Sequence, residues 1–352
     1  MPAKKRDKKG CKVAIVQSTT LKGKEVKQVL TEQGFSTSSL KLLDIEEYKG
    51  KLTHFAGEAK VVLGIEKDSF AGVEIAFFCG SSEDTKKYLP WALQHQVTSI
   101  DLSQAMGDKE GTPYIVYGIN DEDIEACQGI IGNPHPATIL ISTFLHSLGS
   151  AFPVKYAICT LLQPVSEQGE EGIEELYNQT VNLLNFNKIP VDIFKKQLAF
   201  NLLPLSLLPA DKETKEIEAI ITKQITKILK QPSLSLALRV IQAPVFHSYA
   251  ILLFVHLKEE VSVETLQKRL WGRKDVKLDA LHLKKETCPS PVEVAGKDDI
   301  YLGQIKKDAN LKAGYWFWLV ADNIRRGSAL NAVRIAELLI SRNIISGKKG
   351  RD

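Results

Sequence analysis

Cysteine is scarce in this sequence, and no two cysteines stand close together. Five are spread over 352 residues without a CxxC pair, and the seven histidines are scattered as well. These numbers and spacings fit neither a disulfide framework nor a metal site. The sequence also lacks the run of about 20 apolar residues that a membrane helix needs, and its first residues lack an apolar signal. We therefore expect reduced, mostly buried thiols in a cytoplasmic protein without a membrane segment.

Excess charge is also small, and it lies at the two ends. The net charge is +4, but residues 1–10 carry five basic and one acidic side chain, and residues 347–352 carry three and one. The rest of the chain therefore has a net charge of −2. No RNP, zinc-finger or helix-turn-helix pattern is present. We expect a disordered basic tail over residues 1–10 and no nucleic-acid partner.

Strands and helices alternate in the first third of the chain. Apolar strands are predicted at 12–16, 73–80, 97–103 and 113–119, and amphipathic helices follow the first two of them. This alternation indicates an α/β fold with a mostly parallel sheet covered by helices. With 44% hydrophobic residues, a chain of 352 residues can form about two domains. We predict a Rossmann-like domain of the NAD(P)-binding type over residues 11–136.

The pattern changes after this domain to long strands and long helices. Helices are predicted over 137–148, 169–184 and 212–229, and strands over 155–165, 236–257 and 315–323. Long strands with helices on one side indicate an α+β domain, which we place over residues 137–318, with a sheet that serves as a dimer surface. The closing segment, residues 319–346, is predicted to form a C-terminal helix whose broad apolar face packs back on the first domain.

The turn after the first strand has one glycine where a dinucleotide site needs several. A turn without side chains lets a pyrophosphate approach the N-terminus of the following helix. In Q-S-T-T-L-K-G, residues 17–23, only Gly23 is left, so we expect a crowded or absent phosphate site. A serine or threonine here would instead cap the helix. An anion could still bind the polar side chains of this turn, which are Ser18, Thr19, Thr20 and Lys22.

The segment GIIGNPHPATI, residues 129–139, has the strand–turn–helix layout of an active site, but no cysteine begins its helix. A helix N-terminus or a neighbouring histidine would activate a thiol there. Pro136 stands at that position instead. Cys127 and Cys79 are interpreted as small buried apolar residues. His135 is the one histidine that the turn could expose for catalysis.

Five segments, in chain order, resemble the aspartate-semialdehyde dehydrogenases. The most specific is ADNIRRGSALNAVRIAE (321–337), which is similar to D-N-x-x-x-G-A-A-x-N-x-V-x-I-A-E. The other four are FFCGSSEDTKKYLP (77–90), GIIGNPHPATI (129–139), AFNLLP (199–204) and DDIYLGQIKKD (298–308). Members of this family of amino-acid biosynthesis reduce aspartyl phosphate with NADPH, through a thioester on the cysteine of P-N-C. The resemblance implies the family's two-domain fold, a homodimer and NADP as cofactor.

The same resemblance places other residues on the positions that carry this chemistry. The family's nucleophilic cysteine falls on Pro136, and its general acid/base histidine falls on Tyr249. Its substrate arginine falls on Gln242, and its phosphate-binding arginine falls on Gly107. One glutamine of the family's pattern is present, as Gln163. His247 and Arg239 lie two and three residues from the histidine and arginine positions, and a two-residue shift moves a side chain about 6.6 Å along a strand. The further replacements are His135 for asparagine and Ile220 for a lysine. The family's S-G-A-G reads Ser166, Glu167, Gln168 and Gly169, in which only the two middle residues differ.

We therefore predict a catalytically inactive member of the family that resembles its Usg-type branch, with no catalytic residue and no metal. An active NADP-dependent dehydrogenase using Cys127 or Cys159 is the alternative, and a heterodimer with an active paralogue is a third hypothesis. In the family, the D-N-x-x-x-G segment packs beside the nucleotide. A remaining ligand pocket, or merely the packing of the last helix, would therefore involve Asp322, Asn323, Gly327, Ala329 and Asn331. Residual contacts with a cofactor would also come from Gly80, Ser81 and Ser82.

Overall fold

The computed structural model describes residues 10–106, 111–149, 151–207, 212–273, 275–278 and 288–345. The chain divides into two compact units. The first contains the residues up to Pro134 together with those from Ala329 onward, and the second contains His135–Ser328. Each unit has its own sheet and its own apolar core.

The first unit is built on a parallel sheet of six strands. The sheet has the order β5-β2-β1-β6-β7-β8, and every neighbouring pair is parallel. Its strands are β1 (Cys11–Val16), β2 (Thr37–Asp44), β5 (Leu63–Gly64), β6 (Ile75–Phe78), β7 (Thr98–Asp101) and β8 (Ile130–Gly132), while β3 (Leu52–Phe55) and β4 (Glu58–Val61) form a separate hairpin. The helices are α1 (Leu21–Glu32) and α2 (Ser82–Gln94). The Rossmann-like α/β prediction is confirmed for this unit.

One predicted strand of this unit is wrong. Of residues 113–119, only Tyr114 pairs with the sheet, through a single bridge to Gly132. The reason is the side chain of Asn120, which accepts a hydrogen bond from the Val116 N–H and donates one to the Tyr114 carbonyl. A side chain that binds the nearby backbone in this way competes with strand pairing and produces a turn.

The second unit is built on a mixed sheet of seven strands in the order β10-β11-β9-β12-β15-β14-β13. These strands are β9 (Val154–Gln163), β10 (Leu203–Pro204), β11 (Ser235–Gln242), β12 (Tyr249–Leu257), β13 (Val276–Leu278), β14 (Ile300–Lys307) and β15 (Gly314–Ala321). The helices are α3 (Pro136–Leu148), α4 (Gly169–Leu184), α5 (Lys212–Ile228), α6 (Val263–Leu270) and α7 (Pro291–Val294). The predicted α+β character of this part of the chain is confirmed.

The last helix, α8 (Leu330–Ser341), starts later than the predicted segment 319–346. Residues 319–321 still belong to β15, and a π-helical turn over Arg325–Ala329 comes before α8. The Asp322 carboxylate accepts the N–H groups of Ile324 and Arg325, which closes this turn. Within the first unit, α8 packs its buried face against α1 and the sheet.

Candidate active site

Helix α3 begins with a proline that suits its first turn. Pro136 is buried at the first helical position, where the missing N–H has little effect on stability. Its Cβ lies 2.9 Å from the place that a Cβ on Gly327 would take, so the two residues are in close contact. His135 caps the helix, because its Nδ1 accepts the Ala137 N–H at 3.2 Å. From α5, Gln224 accepts the backbone N–H of His135 at 3.1 Å. The chain's own side chains therefore occupy this helix N-terminus.

Glu167 lies at the centre of a buried polar group, which we call the Glu167 cluster: Glu167, His135, Ser166, Tyr249 and Asn323. Asn323 donates to Glu167 Oε1 at 2.7 Å, and His135 Nε2 lies 4.0 Å from Glu167 Oε2. Because His135 Nδ1 accepts a hydrogen bond, we assign the proton of the neutral ring to Nε2, the atom nearer Glu167. Asn323 and Ser166 are also hydrogen-bonded to each other, at 3.0 Å.

Tyr249 occupies the innermost place in this cluster. Its side chain is fully buried at the start of β12, its hydroxyl donates to Gln163 Oε1 at 3.5 Å, and the Glu167 carboxylate lies near it. Burial, and after it the Glu167 carboxylate, raises the pKa of Tyr249 well above its usual value of 10. The hydroxyl therefore keeps its proton at neutral pH and cannot act there as a general base.

Gln163 and Gln242 form a buried amide pair beside the cluster. They face each other across the parallel ladder of β9 and β11, and Gln163 Nε2 donates to Gln242 Oε1 at 3.1 Å. Gln242 in turn donates to the Gln163 carbonyl at 3.0 Å. Arg239, three residues earlier on β11, has a side chain that is 77% exposed and bound to Glu218 at 2.7 Å. That arginine therefore does not supply a cation to the amide pair.

The other predicted positions lie apart from this group. Gly107 falls outside the described residues. Ile220 is half-buried on α5, and His247 is half-buried between β11 and β12. Cys159 is buried in β9, where burial raises the pKa of its thiol, and Cys127, in the first unit, is half-buried. The described residues contain no group of three or more metal-ligating side chains that could hold an ion.

In the first unit, residues 17–23 form what we call the nucleotide turn. Thr20 caps α1, because its hydroxyl accepts the Gly23 N–H at 3.1 Å. The Thr19 N–H donates to the Asp44 carboxylate at 2.8 Å. Lys22 Nζ donates to the Leu102 carbonyl at 3.0 Å. Ser18 is buried just after β1, so the side chains of Ser18, Thr20 and Lys22 lie against the unit's own backbone or core.

The residues predicted to border a remaining pocket also bond within their own units. In the first unit, Ser81 caps α2, Ser82 is its first residue, and Gly80 precedes both. Asn331 Nδ2 donates to the Ile115 carbonyl at 2.9 Å, and Ala329 is buried. In the second unit, Asp322 accepts the Gly296 N–H at 2.7 Å. Sequence reasoning missed Gln224, because a contact across 89 residues leaves no local pattern.

Comparison with known proteins gives matches over both units. Residues 12–127 match the model of the semialdehyde dehydrogenase NAD binding domain, and residues 145–326 match that of the semialdehyde dehydrogenase dimerisation domain. The chain is 31% identical over 341 residues to the aspartate-semialdehyde dehydrogenase of Aquifex aeolicus, covering 96% of this chain and 100% of that protein. The Bacillus subtilis enzyme of the same name is 29% identical over 345 residues, covering 96% and 99%.

A solved structure is similar over the same length. It is the aspartate semialdehyde dehydrogenase II from Vibrio cholerae complexed with ASA, with a TM-score of 0.87 and 30% sequence identity. The match covers 94% of this chain and 98% of that one. None of the described helices is long and apolar enough to cross a membrane.

Proposed function

The chain belongs to the aspartate-semialdehyde dehydrogenase family, and we propose that it is a non-catalytic member that works as a dimeric binding or regulatory protein. The observation that carries this proposal is the start of α3. Pro136 stands where the family resemblance expects the nucleophilic cysteine, and the ring of His135 takes the first available helix N–H. A proline has neither a nucleophilic side chain nor a backbone N–H to offer a substrate.

Loss of both nucleophile and base supports the proposal quantitatively. Removing one such group from an enzyme with a covalent intermediate lowers kcat by on the order of 10⁴ to 10⁶. Here Pro136 replaces the first group, and Tyr249, which keeps its proton, replaces the second. With Tyr249 in place of the histidine, the family's base position therefore holds no proton acceptor at neutral pH, even if a thiol were supplied from elsewhere.

The charge of the cluster also disfavours the family's substrate. Aspartate semialdehyde carries a carboxylate, and such a group is normally held by an arginine through two hydrogen bonds. The corresponding position is the neutral Gln242, whose amide is already bonded to Gln163. The nearby Glu167 carboxylate would repel a second carboxylate rather than bind it.

An activity assay tests this proposal directly. Purified protein is mixed with aspartate semialdehyde, phosphate and NADP, and NADPH formation is followed by absorbance. We expect no rate above the enzyme-free blank. Turnover that is abolished by Cys159→Ala or Cys127→Ala, and unaffected by Cys288→Ala at an exposed thiol, would instead support the active-dehydrogenase hypothesis.

The second unit offers a surface for the proposed homodimer. One face of its sheet carries a row of aromatic rings, with Tyr156 packed on Phe254 at 6.1 Å and Phe254 packed on Trp316 at 4.9 Å between ring centroids. Ile158 and Leu252 on the same face are 47% and 40% exposed. An exposed apolar patch of this kind marks a protein interface, and this part of the chain matches the dimerisation domain.

Gel filtration with light scattering tests the dimer. We expect Leu252→Arg to convert a dimer to a monomer, because it would bury an unpaired charge in the interface. Leu184→Arg is the matched control, since Leu184 is an exposed leucine at the end of α4 in the same unit. A wild-type monomer would refute the dimer. Co-elution with an active family member would support the heterodimer hypothesis.

A further inference from the structure

We propose that the Gln17 side chain occupies the place of the dinucleotide phosphates in the first unit, and that it thereby prevents NAD and NADP from binding. This inference goes beyond the loss of catalysis, because a protein without a nucleophile can still bind a nucleotide. In a Rossmann-like domain, the pyrophosphate lies over the turn between the first strand and first helix, and glycines there allow its close approach.

Gln17 adopts a backbone conformation that favours glycine. Its φ is 57°, in the left-handed region, where a residue with a side chain is strained. The side chain is nevertheless well ordered by its contacts: only 7% of the residue is exposed, and Nε2 donates to Asp84 Oδ2 at 2.8 Å. Asp84 also accepts a hydrogen bond from Ser81 Oγ at 2.7 Å, so the amide is bound to a capped helix N-terminus.

The amide of Gln17 fills the space above Gly80. A Cβ built on Gly80 would lie 1.0 Å from Gln17 Oε1, which means that the amide oxygen occupies the surface that this glycine leaves open. Gly80 follows β6, the strand that pairs with β1 at the centre of the sheet. In open parallel sheets, ligands bind at the carboxyl ends of the strands, which is where this amide lies.

Two backbone N–H groups of the nucleotide turn are also in use. The N–H of Ser18 donates to the Leu43 carbonyl at 3.1 Å, and that of Thr19 donates to the Asp44 carboxylate. The carboxylates of Asp44 and Asp84 would repel phosphate if Gln17 moved away while both stayed in place. The residues present therefore do not fit a bound dinucleotide, and Gln17 is the group that fills its space.

Calorimetric titration of the full-length protein with NAD⁺ and with NADP⁺ tests this inference. We expect no saturable binding to the wild type. Gln17→Gly removes the amide and relieves the strain of the left-handed backbone. We expect this variant to bind at least one nucleotide tenfold or more tightly than the wild type does. Gln96→Gly is the matched control, because Gln96 has the same φ of 57° but is exposed, after the end of α2. It should bind no better than the wild type.

Two results would overturn the inference: saturable nucleotide binding by the wild type, or no gain in binding by a folded Gln17→Gly variant. If that variant does not fold, Gln17→Asn is used, since asparagine tolerates a left-handed backbone and its shorter side chain cannot reach Asp84 in the same way. The same two criteria apply to it. Nucleotide binding by the wild type without turnover would overturn this inference alone, whereas turnover of the wild type with NADP would overturn the proposed function as well.

Discussion

Replacing Pro136 by cysteine should restore no measurable dehydrogenase activity. The change would place a thiol at the first position of α3, beside the His135 ring. That ring cannot accept the thiol proton through Nδ1, which already accepts the Ala137 N–H, and its Nε2 lies 4.0 Å from the Glu167 carboxylate. The residue at the family's base position is Tyr249, which keeps its proton. The new thiol therefore stands at the family's nucleophile position but has no group there that accepts its proton.

The expected rate can be worked out from these surroundings. A helix N-terminus favours ionisation of a thiol at this place, so the expected loss of rate comes from the missing base rather than from the thiol. Absence of the base lowers kcat by on the order of 10⁴ or more, from a typical value of about 10 s⁻¹. The variant should then turn over more slowly than about 10⁻³ s⁻¹. Loss of the proline ring should also destabilise the fold by about 1 kcal/mol, since proline restricts the unfolded chain.

The assay compares Pro136→Cys with Pro136→Ala, which loses the same ring without gaining a thiol. Both are mixed with aspartate semialdehyde, phosphate and NADP, and reaction with iodoacetamide shows whether the new thiol is accessible. The two variants should give the same rate as the blank. A kcat for Pro136→Cys within about a hundredfold of an ordinary enzyme's value would show that Glu167 or Tyr249 can accept the thiol proton. That result would refute the expected absence of a base.

Three further predictions concern the buried groups. Gln242→Ala should lower the free energy of unfolding by about 2–4 kcal/mol in urea titrations, because it leaves a cavity and an unpaired Gln163 amide; a loss below about 0.5 kcal/mol would contradict the amide pair. Wild-type stability should fall as the pH rises above about 10, since unfolded tyrosine ionises while buried Tyr249 keeps its proton; Tyr249→Phe should show a smaller fall. A disulfide reagent should modify the exposed Cys288 quickly and Cys159 only on unfolding, and rapid native modification of Cys159 would contradict its burial.

Much of the fold could be predicted because local patterns determine its elements. The helix expected over 169–184 is observed over the same residues, and the one expected over 137–148 begins one residue earlier, at Pro136. The prediction of a strand over 113–119 is wrong for a reason that the hydrophobic pattern does not reveal. Tyr114, Ile115 and Val116 are buried, but the side chain of Asn120 takes up backbone groups that strand pairing would need.

The candidate site could be predicted as a set of replacements but not as an arrangement. The family resemblance identifies Pro136, Gln242 and Tyr249 as departures from the expected chemistry. It does not show that Glu167 accepts a hydrogen bond from Asn323, because Asn323 is 156 residues away along the chain. Likewise, a turn with one glycine predicts a crowded phosphate site, but only the structure places the Gln17 amide over Gly80.

The way in which these replacements bond to one another bears on how they can coexist. Leaving one buried polar group without a partner costs about 1–3 kcal/mol, and a folded protein is stable by only about 5–15 kcal/mol. Several unpaired replacements would therefore unfold the chain. Instead, Gln163 donates to Gln242 and accepts a hydrogen bond from the Tyr249 hydroxyl. Reverting Gln242 or Tyr249 alone would still leave Pro136 at the nucleophile position, so the family's chemistry can return only through several simultaneous changes.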